Sequence, residues 1–167
     1  RTGEIIKGHV SLGSLRIRQD FLIAQALINK PFENDNNYKP MLNMALSRIR
    51  QLSAHEVGHT LGFTHNFASS ANDRASVMDY PHPLISLNND QIELSDAYAI
   101  GIGEWDKVSV SYSYSEFDLN KEKMELENIL KQADLKGLRF ITDNDARSQG
   151  GAHVSAHLWD NGKDVIS

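Results

Sequence analysis

The sequence contains no cysteine. Disulfides and thiolate metal sites are therefore excluded. The absence does not fix a compartment, because many exported bacterial proteins also lack cysteine. No apolar run approaches the ~18 residues of a membrane helix. The longest candidate, Phe21 to Ile28, is interrupted by Gln25. An excess of basic charge is missing too: 17 basic residues face 22 acidic ones, a net charge of −5, so there is no electrostatic footprint for nucleic acid. Internal repeats and low-complexity tracts are absent. What remains is an ordinary globular composition, 40% hydrophobic and 23% charged, and 167 residues suffice for one domain with a sizeable core. The chain opens on Arg1 and shows no signal peptide, which leads us to expect a piece of a longer precursor.

The chemistry is concentrated in His55-Glu56-Val57-Gly58-His59-Thr60-Leu61-Gly62-Phe63-Thr64-His65-Asn66. His55 and His59 stand four apart, which on a helix puts both imidazoles on one face, one turn above the other. Two side chains so placed can grip one tetrahedral Zn²⁺. Glu56 lies about 100° round the same helix, within reach of a metal-bound water without being a ligand. Gly62 follows where the chain must turn back and a residue tolerating positive φ is needed. The turn brings His65 in as a third nitrogen ligand. Three histidines leave the fourth position open for water, as a catalytic zinc site requires. A structural zinc domain is disfavoured, since such sites usually take four protein ligands.

The extended motif resembles the metzincin signature, and Ser76-Val77-Met78-Asp79-Tyr80-Pro81 resembles the Met-turn that follows it. Words elsewhere resemble a family of large, poorly characterised bacterial zinc-dependent metallopeptidases. They are Arg1-Thr2-Gly3-Glu4-Ile5, Leu15-Arg16-Ile17-Arg18-Gln19-Asp20, Arg50-Gln51-Leu52-Ser53-Ala54-His55-Glu56, Gly101-Ile102-Gly103-Glu104-Trp105-Asp106-Lys107 and His157-Leu158-Trp159-Asp160-Asn161-Gly162. The resemblance implies an α+β, predominantly helical metzincin-like catalytic domain with an incomplete upper sheet. Residues 1–62 would be a remnant of the upper subdomain with the active-site helix, and 63–167 the lower subdomain with a C-terminal extension. It implies one catalytic Zn²⁺ on His55, His59 and His65, Glu56 as general base, and Met78 as an apolar floor beneath the metal. The substrate would be a peptide or protein, the compartment secreted or periplasmic, and the other partner the remainder of a longer chain. Tyr80 stands where some metzincins place a tyrosine that ligates zinc or donates to the oxyanion; a packed aromatic beside Pro81 is the other reading. Asn66 departs from the acidic, proline or serine residue of better-known branches, which leaves substrate preference open. A catalytically inactive peptide-binding module and a zinc hydrolase of a non-peptide amide or ester are the alternatives. A short chain lacking upstream strands is expected to bind zinc but turn over poorly.

The rest of the chain supplies scaffold. Glu4 to Val10 reads as a short strand, either an edge that pairs with substrate or an ordinary β-element, and His9 within it as a structural polar residue. Leu15 to Asn29 reads as a helix with Ser14 as N-cap and Leu15, Leu22 and Ala26 among its buried positions. Lys30 to Lys39 is polar and reads as a loop. Met41 to Gly62 has apolar residues at threes and fours and Pro40 at its start, the pattern of a long helix. Asn66 to Ala75 reads as a small polar loop. Pro81-His82-Pro83 rules out helix, and His82 receives no ligand role. Asn88-Asn89-Asp90 reads as a solvated turn in preference to a calcium site. Glu104 to Tyr114 fits both a strand and a helix; helix is expected. Asp118 to Lys136 is expected to be a surface amphipathic helix. Gly137 to Ser167 is expected to wrap the surface, and His153 and His157 repeat the four-residue spacing without a third ligand or a following glutamate.

Overall fold

A computed structural model describes residues 2–28, 38–151 and 153–156. The expected loop over 30–37, the end of the first helix at Asn29, and the His157 to Gly162 segment lie outside the described residues. Helices dominate: α1 (Ser14–Leu27), α2 (Lys39–Thr60), α3 (Glu104–Tyr114), α4 (Glu122–Leu135) and the one-turn α5 (Asp143–Ala146). The sheet among the described residues is one antiparallel hairpin, β1 (Ser86–Asn88) and β2 (Gln91–Glu93). The protein is thus α+β and mostly helical. No described helix is long and apolar enough to cross a membrane.

The chain divides into two compact units, 1–61 with 82–101 and 62–81 with 102–167. In the first, α1 packs on α2, and the core gathers Ala24, Met41, Met44, Leu94, Ala97 and Tyr98. The helix α2 starts as its sequence dictates, with Pro40 in the first turn, where a missing N–H costs nothing. The face it buries is partly polar: Arg48, Gln51, His55 and Gly58 are buried with Met41, Met44 and Ala45. Several apolar residues at helical spacing, Leu42, Leu46, Val57 and Leu61, stand exposed.

The register of α1 corrects the sequence expectation. Leu15, Leu22 and Ala26 are exposed, and the buried residues are Asp20 and Ala24. Gly13, not Ser14, occupies the N-cap. Period alone points to the apolar face, but here a charged one turns inward. Burial raises the Asp20 carboxyl above the ordinary range, against the pull of Arg16 and Arg48. Arg16 lies 3.7 Å from it. Arg48 sits over the Tyr98 ring, 5.4 Å from its centroid, and bonds Gln51.

The same burial pushes the Tyr98 phenol up to about 12, with Arg48 opposing and Asp20 adding to the shift. The protonated phenol is therefore favoured in the folded state, a contribution complete below pH ~10 and lost as pH climbs through the raised value. Tyr98 is therefore expected to ionise well above the ordinary phenol range. An absorbance titration at 295 nm should show a late step near pH 12 that Tyr98→Phe removes; an unchanged curve for that variant would refute it.

Glu4 to Val10 forms no strand; residues 2–13 have no regular structure. Ile6 is 95% exposed, and among the described residues no strand pairs with the segment. A strand requires a partner, which β-propensity cannot supply. The segment runs instead by the end of α2, where a Cβ on Gly8 would come 2.8 Å from Thr60 Cβ. The hairpin was not anticipated, although its turn was: Asn89 and Asp90 adopt φ of 50° and 62°, the left-handed pair that closes a two-residue hairpin.

In the second unit α3 is a helix, resolving the ambiguity of its alternating pattern. Its Trp105 and Val108 pack against Ala75, Ala133 and Leu138, and the Trp105 ring stacks on Phe140. The helix α4 buries Ala133 and leaves Met124, Leu130 and Leu135 exposed, the surface helix expected. Two segments depart from expectation. Residues 66–70 of the expected polar loop are buried, and a 3₁₀ turn covers Ser69–Asn72. Residues 138–141 do not merely wrap the surface: Leu138 and Ile141 are buried, and Phe67 N donates to Ile141 O.

Candidate metal centre

The last two turns of α2 carry His55, Glu56 and His59. His55 is buried and His59 half-buried. Their Nε2 atoms face each other at 3.1 Å, with the rings edge to face. Two nitrogens on one tetrahedral zinc are separated by about 3.3 Å, given Zn–N bonds near 2.0 Å. The pair thus has the spacing of two ligands of one cation. Glu56 is half-buried on the adjoining side of the helix.

The last turn of the helix closes with Leu61 N donating to Val57 O and Gly58 O, and the helix ends where Gly62 takes φ of +90°. A Cβ there would meet nothing within 4 Å, so the dihedral and not crowding favours glycine. Three residues on, His65 has both ring nitrogens engaged. Nε2 lies 2.8 Å from the Tyr80 hydroxyl, and Nδ1 lies 2.6 Å from Asp143 Oδ2. Asp143 presents its other oxygen to Arg147 Nε at 3.2 Å, and the Arg147 guanidinium covers the Phe67 ring.

Among the described residues His55, His59 and His65 form a group able to hold one metal ion, with one ring nitrogen from each and all three within 4.8 Å of one another. The donor set is all imidazole, which suits zinc among the divalent cations. His82 is not in this group, and neither is His153, which is exposed.

The Met-turn is built from hydrogen bonds that sequence reading missed. Met78 is buried, and its carbonyl accepts from Asn66 N at 2.8 Å, tying the turn to the end of the histidine motif. Asp106 of α3 clamps the turn from the other side. It accepts from Ser76 Oγ at 2.5 Å, Val77 N at 2.8 Å and Gly103 N at 2.6 Å. Ser76 Oγ in turn accepts from Met78 N. Burial raises the Asp106 carboxyl, and the three donors pull it back. Asp79 accepts from Ser69 Oγ, Ser70 Oγ and Tyr80 N, which holds the backbone that carries Tyr80. Asn66 is fully buried: Nδ2 donates to Arg139 O, and Oδ1 accepts from Ala68 N and Ile141 N. The carboxylates of Asp106 and Asp143 are the functional groups the sequence did not reveal. Asp106 falls in a recognisable word, yet nothing local marks it as the clamp, and Asp143 lies 78 residues from its histidine.

A helix bearing two histidines one turn apart, a glycine turn to a third histidine and a buried methionine turn define a metzincin-type fold of the metallopeptidase class. The chain belongs to the Met-zincin family, which it matches over residues 37–167, well over half its length. No curated protein and no solved structure matches it.

Proposed function

We propose that the chain carries a zinc-dependent endopeptidase centre that hydrolyses bonds in peptide or protein substrates. The observation that carries this reading is the three-imidazole group, with all its nitrogens within 4.8 Å, in a chain of the Met-zincin family. His55, His59 and His65 would hold the ion. When bound, zinc supplies Lewis acidity and a water acidified from 15.7 towards ~7. Glu56 takes the proton of the attacking water and passes it to the amine nitrogen that leaves. The Tyr80 hydroxyl, beside His65 Nε2, donates to the carbonyl oxygen as negative charge develops there. Met78 closes the buried floor of the turn and keeps water out from below.

The test is metal stoichiometry with cleavage. One zinc per chain should be found after reconstitution, and chelation should abolish hydrolysis of a peptide library. Correctly folded protein that takes up no zinc would sink the proposal. Retention of cleavage after complete metal removal would sink the mechanism.

A further inference from the structure

His65 is the one member of the group that lies beyond α2, and no helix fixes its ring. Its orientation is set by what it touches. Asp143 Oδ2 at 2.6 Å from Nδ1 is a carboxylate facing a ring nitrogen, and the arrangement is coherent only if Nδ1 carries the proton and donates it. The lone pair then rests on Nε2, the nitrogen beside Tyr80. Asp143 is itself held in place: Arg147 engages its second oxygen, and Arg147 is seated over Phe67. The segment that delivers Asp143 is fixed by Asn66, the residue next to His65, through Arg139 O and Ile141 N. The third histidine and its carboxylate are thus locked to each other by both side chain and backbone.

We propose that Asp143 is the positioning residue of the third ligand: it selects the Nδ1–H tautomer of His65 and aims Nε2 at the metal. The inference rests on the zinc reading above. Carboxylates in this role orient a ligating histidine and raise its basicity, and their loss typically weakens metal binding about 10- to 100-fold. Asn66 is then explained as well. Its amide donates to Arg139 O and accepts from Ile141 N and Ala68 N, a combination that an acidic residue or proline could not supply.

The test has two readouts on the full chain. In metal-free protein, ¹⁵N NMR of the His65 ring should show Nδ1 protonated in the wild type and in Asp143→Asn, which keeps an acceptor oxygen. The proton should move to Nε2 in Asp143→Ala. Zinc affinity, measured by competition with a chromophoric chelator, should fall about 10- to 100-fold in Asp143→Ala and less in Asp143→Asn. Arg147→Ala removes the ion pair without touching His65, and should keep the tautomer. Three results would each overturn the inference: an unchanged tautomer in Asp143→Ala, an unchanged zinc affinity in that variant, or a loss in Arg147→Ala as large as in Asp143→Ala, which would mark packing of the segment as the cause. Failure of the wild type to bind zinc overturns the metal reading instead, and the tautomer measurement still judges the pairing by itself.

Discussion

Glu56→Gln is expected to lower kcat/KM for peptide hydrolysis about 100- to 10,000-fold while one zinc remains bound per chain. The range is what a positioned general acid–base group contributes. Glutamine keeps the shape and polarity of the side chain on α2, so the helix and the His55–His59 pair should persist at their present spacing. It cannot accept a proton, and so removes both transfers assigned to Glu56. The separation of the two effects is the point of the experiment. Parallel loss of zinc and activity would make Glu56 a structural support for the helix end. Cleavage at the wild-type rate would show that the proton goes elsewhere.

The second large effect concerns stability. Asp106→Ala is expected to destabilise the chain by about 3–5 kcal/mol. The substitution leaves Val77 N, Gly103 N and Ser76 Oγ facing a buried gap, and each orphaned donor costs about 1–3 kcal/mol. The sum is less than additive, because Ser76 can rotate to another acceptor. Denaturant unfolding should show a lower midpoint with an unchanged slope. Asp106→Asn keeps one acceptor oxygen of two and should fall between. The neighbouring Glu104→Ala removes only exposed pairings with Lys107 and Lys136 and should leave the midpoint where it is. An Asp106→Ala midpoint equal to that of the wild type would mean that the Met-turn does not depend on this clamp.

How much of this was legible depended on distance along the chain. The helical half of the metal centre is a local pattern, and 3.6 residues per turn is enough to bring the His55 and His59 nitrogens together. The glycine turn, the Pro40 helix start and the surface helix α4 are local as well. Burial of Asp20 in place of Leu15 and Leu22 was not legible, because periodicity reports where apolar residues lie and not which face is covered. The strand expected at Glu4 to Val10 failed for want of a partner, a fact held by no residue within it. The Met-turn could be recognised from Met78. What fixes it could not, since Asp106 is 30 residues from Ser76. Asn66, which sequence reading singled out only as a departure, turns out to bridge to residues 139 and 141.

The contact between Ala75 and Gly103 has a consequence of its own. A Cβ on Gly103 would stand 2.0 Å from Ala75 O, and Trp105 N donates to that same oxygen at 2.8 Å. Two stretches of main chain therefore lie against each other with no side chain between them. The Asp106 carboxylate fastens the same two stretches from beside this contact, through Ser76 Oγ, Val77 N and Gly103 N. What must be preserved is an absence: one methyl group at residue 103 would act as a wedge and prise the methionine turn away from the helix that holds it.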